Sequence, residues 1–160
     1  MVLTFGPDGA YGHPDHIAIS QLTTAAIVAA ADARHRDFDA LEASAHAVSK
    51  LYFLAWPATT WAAYQFAFKT LTFTVDDVER QAVPWPDWAI TTTLDTAHVV
   101  SAVERAVACH ASQTSTYRRL WDLPAAEMRG LFGQQFFYRA FSRVNSGHRM
   151  EVDIFEGLRP

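Results

Sequence analysis

The amino-acid sequence predicts an α/β fold, with helices packed on the faces of an open parallel sheet. Short apolar runs with β propensity alternate with longer helical stretches, and the chain opens on a strand, a loop and a helix in that order. No repeat or linker divides the chain. A chain of 160 residues buries roughly 70% of its unfolded surface when it folds as one unit, so we expect a single domain over residues 1–160.

The first strand and helix follow from the opening residues. Val2–Phe5 is a short apolar run that stops at the turn-forming cluster of residues 6–9, which predicts a buried strand feeding a loop. Asp15 can cap a long alanine-rich helix over residues 17–33. In an open α/β sheet, ligands bind outside the carboxyl ends of the strands, so this loop is where we expect chemistry.

The later elements are predicted from periodicity and from proline positions. Residues 34–49 read as a loop with a short helical piece, and residues 84–88 are too rich in proline for regular structure. Residues 150–155 alternate polar with apolar side chains and form either an edge strand or a docked tail. Strands are predicted at residues 50–56 and 89–94, and helices at residues 60–70, 96–110 and 125–144.

Composition and charge exclude several classes of partner. The net charge of -4 and the pI near 5.9 lack the positive potential that draws a protein to nucleic acid or to anionic lipid. Apolar runs are far shorter than the ~20 residues of a membrane helix, so we expect no membrane span. The amino terminus has no basic region typical of a signal peptide, and Cys109 has no partner cysteine, so we expect a cytoplasmic protein.

The opening loop concentrates titratable groups in four positions. His13, Asp15 and His16 surround Pro14 at the point where the strand gives way to the helix. Pro14 restricts the residue before it, so His13 is extended while His16 falls in the first helical turn. Neutral histidine is the commonest metal ligand, and a neighbouring acceptor such as Asp15 can fix its tautomer. The pattern therefore favours a metal or acid–base site.

Residues 11–16, Tyr-Gly-His-Pro-Asp-His, together with the glycine-rich turn before them and the alanine-rich helix after them, resemble a signature loop of the PIG-L/LmbE-like zinc-dependent N-deacetylases. The resemblance implies an LmbE-like, partial Rossmann-like fold and zinc as the cofactor. It implies that His16 is a zinc ligand and that His13 stabilises the oxyanion or gives a proton to the departing amine. It also implies that Asp15 orients His13, that Tyr11 polarises the scissile carbonyl, and that the substrate is an N-acylated amine such as an amino-sugar conjugate.

The resemblance also implies two more zinc ligands and a general base from an earlier loop with a His-Pro-Asp-Asp sequence, which this chain lacks. We therefore expect weak or incomplete zinc binding and little activity from the chain alone. Three explanations stay open. The chain is an amino-terminally shortened deacetylase, or a non-catalytic relative that binds a sugar or small molecule. Alternatively it is a homo-oligomer whose metal site is completed by Asp95, His98, His110 or residues of a partner chain.

The remaining histidines and aromatic residues receive structural interpretations. His110 begins a His-Ala-Ser-Gln stretch that resembles another feature of the family, and its simplest role is at a helix C-terminus. Four further histidines are predicted to lie at the surface: His35, His46, His98 and His148. The core is predicted to contain Trp56, Trp61, Phe66, Phe68, Phe132, Phe136, Phe137, Tyr138 and Phe141.

Overall fold

The computed structural model of the protein describes residues 1–35, 44–68, 72–75, 77–81, 83–113, 118–147 and 149–159. Its strands are β1 (Val2–Phe5), β2 (Lys50–Leu54), β3 (Thr72–Val75), β4 (Val78–Gln81), β5 (Thr92–Asp95) and β6 (Gln134–Ser142). Its α-helices are α1 (Gly9–Gly12), α2 (Pro14–Ala31), α3 (Ala58–Phe68), α4 (Val100–Ala108), α5 (Arg118–Trp121) and α6 (Ala125–Phe132). Short 3-10 turns lie at Asp87–Ala89, Ala97–Val99 and Ala111–Gln113.

The described strands form a mixed sheet, which confirms the α/β class but corrects the prediction of a parallel sheet. The strand order is β1-β2-β6-β5, and β3 pairs with β4 in a separate hairpin. β1 and β2 are parallel, with Phe5 opposite Leu54, whereas β6 is antiparallel to both of its neighbours. The chain leaves β5 at Asp95 and enters β6 at Gln134, directly opposite it, so the intervening helices return the chain to the end of the sheet that it left.

The predicted helix over residues 125–144 is wrong in its second half. α6 stops at Gly133, whose amide donates to the Arg129 carbonyl, and β6 begins at the next residue. A Cβ atom at position 133 would lie 2.4 Å from the Arg129 carbonyl oxygen, so this close approach requires glycine. The aromatic run that follows has high β propensity, and its pairing on both sides outweighs the helical spacing of its phenylalanines. The predicted segments 17–33, 50–56, 60–70, 89–94 and 96–110 correspond to described elements with bounds shifted by a few residues.

The loops after β1 and β2 lie at one end of the sheet, which we call its upper end. A small apolar core lies between two helices, where Met128, Leu131 and Phe132 of α6 pack against Ala67 of α3. Trp61 and Phe137 are also buried, as predicted, whereas Phe66 is 72% exposed and is not a core residue. Outside the described part of the chain lie the side chain of Phe68, His148, and residues 36–43 of the segment 34–49, which is predicted as a loop with a short helical piece. His35, His46 and His98 are exposed, as predicted.

α2 packs along β1 and presents an uncovered apolar surface. Ile19, Leu22 and Val28 are 46%, 66% and 68% exposed. An open groove of about 770 Å³ runs between this helix and Phe53 of β2 and is lined mainly by apolar atoms. The edge of β1 that faces away from β2 pairs with no strand in the described ranges. An apolar helix beside an unpaired strand edge is typical of a surface that another polypeptide covers. No described helix combines the length and apolarity that crossing a membrane requires.

The closing segment is a docked tail rather than a strand. Glu151 forms an isolated bridge to Thr92, its amide donates to the Thr91 carbonyl, and its carbonyl accepts from the Thr93 amide. Its side chain is buried, and Lys50 Nζ and Tyr52 Oη donate to it at 2.7 Å each.

Further donors complete the environment of this carboxylate. They are Thr92 Oγ1 at 2.9 Å, Asn145 Nδ2 at 2.5 Å and Arg139 Nη1 at 3.0 Å. Burial alone would raise the pKa of Glu151, but the hydrogen bonds from Lys50 and its neighbours outweigh burial and lower the pKa to about 2. Burial, followed by the bond to this carboxylate, raises the pKa of Tyr52. We call this group the Glu151 cluster.

Candidate functional site

The loop after β1 owes its shape to three residues with positive φ. Gly9, Ala10 and Gly12 have φ of 62°, 66° and 79°. A side chain at position 9 is excluded, since its Cβ would lie 2.7 Å from Ile17 Cγ1. Ala10 combines its positive φ with a ψ of -66°, a region that residues with a Cβ rarely adopt, at a cost of about 1–3 kcal/mol. Such strain persists only where the surroundings fix the backbone, and it is common at functional sites.

Three of the predicted site residues come together above the last residue of β1. The His16 ring stacks on Phe5 with centroids 3.8 Å apart and planes 4° apart. His13 stacks on His16 at 4.6 Å. The Tyr11 ring stands edge-on to both imidazoles, at 5.8 Å from His13 and 5.4 Å from His16. The loop therefore holds two imidazoles and a phenol in one half-buried group. We call His13 and His16 the imidazole pair.

The backbone determines which nitrogen of His16 carries its proton. His16 Nδ1 lies 3.2 Å from the Gly9 carbonyl oxygen, which can only accept a hydrogen bond. Nδ1 therefore carries the proton, and in the neutral ring Nε2 keeps its lone pair. This is the arrangement by which second-shell carbonyls prepare a histidine to bind a metal ion.

The backbone fixes His13 in the opposite tautomer. The amide of Asp15 donates to His13 Nδ1 at 3.2 Å, so His13 caps α2 through this nitrogen. An amide can only donate, and the neutral His13 ring consequently carries its proton on Nε2. The contact with His13 runs through the backbone of Asp15, whose side chain is exposed. The predicted orienting role of the Asp15 carboxylate stays a prediction.

The electrostatic surroundings keep His16 neutral at neutral pH. Burial is the largest influence and lowers the pKa of His16; the Gly9 hydrogen bond opposes it, and the nearby His13 adds a further lowering. Because a lowered pKa favours the uncharged ring, the lone pair of Nε2 is available without competition from a proton.

The described residues do not form a full metal site. Within the described ranges no three His, Cys, Asp or Glu side chains are grouped so that they could hold a metal ion. Asp95 Oδ1 accepts from the amide of Ala97 at 3.0 Å, and β5 lies three strand spacings, roughly 14 Å, from β1. His98 and His110 are exposed, so within one described chain these three residues do not join His16.

Sequence reasoning missed the contact that ties this loop to the rest of the fold. Trp85 Nε1 donates to Asp8 Oδ2 at 3.0 Å, across 77 positions of sequence. The only local signal was the glycine-rich turn around Asp8, which indicates an unusual backbone but not its partner. The proline-rich segment 84–88 gave no sign that one of its tryptophans reaches the loop.

Comparison with known proteins finds similarity to deacetylases of one sugar conjugate. No family model matches it. The 1D-myo-inositol 2-acetamido-2-deoxy-alpha-D-glucopyranoside deacetylase of Rhodococcus jostii is 34% identical over 120 residues, covering 72% of this chain and 38% of that protein. The corresponding deacetylase 2 of Catenulispora acidiphila is 26% identical, covering 99% and 55%, and the deacetylase of Acidothermus cellulolyticus is 28% identical, covering 99% and 51%. The chain spans about half the length of these relatives, or less, and they support the deacetylase family that the loop resembles.

Proposed function

We propose that this chain is part of a zinc-dependent N-deacetylase of the PIG-L/LmbE-like family, acting on the N-acetyl group of an amino-sugar conjugate. The observation that carries the proposal is the pair of adjacent imidazoles that the backbone holds in opposite tautomers. The named relatives act on an N-acetylated glucosaminyl inositol, which supports this substrate class.

His16 is the residue of this chain that would bind the metal ion. The Gly9 hydrogen bond places the proton on Nδ1 and leaves Nε2 with a lone pair, and stacking on Phe5 restricts the rotation of the ring. Bound zinc supplies Lewis-acid activation of the water that attacks the amide carbon. The described residues fit such an ion at one ligand position and leave the others to residues elsewhere.

His13 supplies the proton donor. Its Nε2–H lies on the ring that stacks on His16, so a substrate carbonyl near His16 Nε2 is also near a hydrogen-bond donor. As charge develops on the carbonyl oxygen, this donor stabilises it. Passing a proton to the departing amine requires the imidazolium form of His13, in which Nδ1 carries a second proton and no longer accepts from the Asp15 amide. Tyr11 completes the group: its ring contacts both imidazoles, and its phenol is a second donor for the carbonyl.

The missing ligands would come from polypeptide equivalent to the part of the relatives that this chain does not match. The uncovered surface of α2 and the unpaired edge of β1 support this assembly, because both are apolar or unsatisfied and lie beside the loop. We therefore expect the chain alone to bind zinc weakly and to hydrolyse an N-acetylglucosaminyl inositol slowly or undetectably.

Calorimetric zinc titration tests the metal-binding part of the proposal. The wild-type chain should bind weakly, His16→Ala should abolish binding, and His98→Ala, which removes an exposed histidine, should leave it unchanged. Tight binding that survives His16→Ala would remove His16 from the ligand set. Rapid acetate release by the chain alone would show that its own residues complete the active site.

A further inference from the structure

The shape of the loop that carries the imidazole pair depends on a hydrogen bond from a distant segment of the chain. Asp8 begins the turn that contains Gly9: the Gly9 amide donates to the Gly6 carbonyl, and the Gly12 amide donates to the Asp8 carbonyl. The Asp8 side chain in turn accepts from the Trp85 indole at 3.0 Å. Asp8 therefore connects the strained turn to a distant segment of the chain.

Trp85 is itself held firmly at the upper end of the sheet. Its amide donates to the Trp56 carbonyl at 2.8 Å, and it forms an isolated bridge with Pro57, just after β2. Its ring packs on Tyr138 of β6 at 5.6 Å. The indole therefore has its position set by β2 and β6, and the loop is fastened to them through one hydrogen bond.

The exit from β1 is shaped to admit this indole. A Cβ at position 6 would lie 2.8 Å from Trp85 Cζ2 and 2.5 Å from Asp8 Oδ1. Only glycine lets both groups approach the backbone so closely. Gly6, Asp8 and Trp85 therefore form one packed unit directly below the turn.

Only one of the two carboxylate oxygens of Asp8 takes part in this contact. Its second oxygen, Oδ1, is buried and has no hydrogen-bond partner among the described residues. An unsatisfied buried acceptor has lost its water without gaining a partner, which destabilises the fold. A buried carboxylate with an unsatisfied oxygen is therefore expected to have a role beyond packing.

We propose that Asp8 is a positioning residue, which through its bond to Trp85 holds the Gly9 carbonyl against His16 Nδ1 and so keeps the metal-binding nitrogen of His16 unprotonated. The proposal rests on the proposed function in that it treats His16 as a ligand. The tautomer of His16 can nevertheless be measured without any metal.

Long-range ¹H–¹⁵N correlation spectra of the histidine rings in the labelled chain test this role at a pH where the rings are neutral. Wild-type His16 should show the Nδ1–H tautomer. Asp8→Ala and Trp85→Phe should each shift it toward a mixture of tautomers, whereas Asp8→Asn, which keeps an acceptor for the indole, should restore the wild-type signature. Zinc affinity should fall about tenfold in the first two variants, the scale of lost second-shell contacts.

Trp88→Phe is the matched control, because Trp88 lies three positions away on the same segment and is 82% exposed. Its spectrum should equal that of the wild type. If Asp8→Ala does not fold, Trp85→Phe decides the question, since it keeps an aromatic ring on Tyr138 and removes only the donor. A folded Trp85→Phe variant with the wild-type His16 tautomer would overturn the proposal. A wild-type chain that binds no zinc, yet shows the tautomer change in Trp85→Phe, would overturn the proposed function and support the positioning role.

Discussion

The imidazole pair and the Glu151 cluster are two polar groups built on the same sheet in opposite ways. In the cluster, Lys50, Arg139 and three neutral donors all point at one buried carboxylate. At the imidazole pair, the half-buried rings are held by backbone contacts and by a turn with three positive φ values. One region uses its hydrogen-bonding capacity around a single charge, and in the other the backbone sets the tautomers of two half-buried imidazoles.

The difference separates a region that stabilises the fold from the region that we propose binds a ligand. Buried, fully satisfied charges fix one arrangement and are costly to disrupt. Strained backbone and partly exposed ionisable groups are typical of functional sites. Substitutions in the Glu151 cluster should therefore act on folding, and substitutions at the imidazole pair should act on metal binding and catalysis.

The largest expected effect is on stability. Glu151→Ala leaves Lys50 and Arg139 buried without their carboxylate, which should lower the free energy of unfolding by about 3–5 kcal/mol. Urea denaturation measures this loss. Glu79→Ala, which removes an exposed carboxylate on β4, should change it by less than about 0.5 kcal/mol. Equal losses in the two variants would show that the cluster is not a special source of stability.

Acid should weaken the same cluster. The pKa of Glu151 falls from 4.5 in its ordinary state to about 2 in the fold. A lowered carboxylate pKa contributes stability that is present above pH 4.5 and is lost as the pH falls toward 2, here roughly 3 kcal/mol. Unfolding measured across this range should show the loss in the wild type and a flatter profile in Glu151→Gln. An identical slope in that variant would place the acid sensitivity elsewhere.

His13 should matter more for catalysis than for folding. In the complete enzyme, His13→Gln should reduce kcat for deacetylation about 100-fold or more, because it removes the proton donor, while zinc content stays unchanged. Its free energy of unfolding should fall by no more than the loss of one helix cap, about 0.5–2 kcal/mol, because His13 Nδ1 accepts from the Asp15 amide at the start of α2. Steady-state kinetics with metal analysis separates these outcomes, and loss of zinc in His13→Gln would make His13 a ligand instead of a donor.

The turn should give a smaller stability effect. Gly9→Ala places a Cβ 2.7 Å from Ile17 Cγ1 at a positive φ, which should destabilise the fold by about 1–3 kcal/mol. Gly130→Ala is the control, since a Cβ there meets no atom within 4 Å. Denaturation curves of the two variants compare them directly, and an unperturbed Gly9→Ala protein would show that the turn adapts easily.

Local sequence patterns predicted the grouping of the imidazole pair but not what fixes it. Tyr11, His13 and His16 are close in sequence, so a strand-to-helix corner brings them together. The Asp8–Trp85 bond spans 77 positions and the Lys50–Glu151 bond 101, and no local pattern reports such pairings. The spacing of its aromatic residues predicts β6 as helix, and its antiparallel pairing depends on where the intervening helices return the chain, which no local pattern reports.

Anomalous diffraction at the zinc edge, on crystals of the chain grown with zinc, tests the central claim most directly. Zinc should lie about 2.0–2.1 Å from His16 Nε2, the distance typical of zinc–imidazole bonds, and beside His13 and Tyr11. Zinc bound only at other side chains, with none at His16, would contradict it.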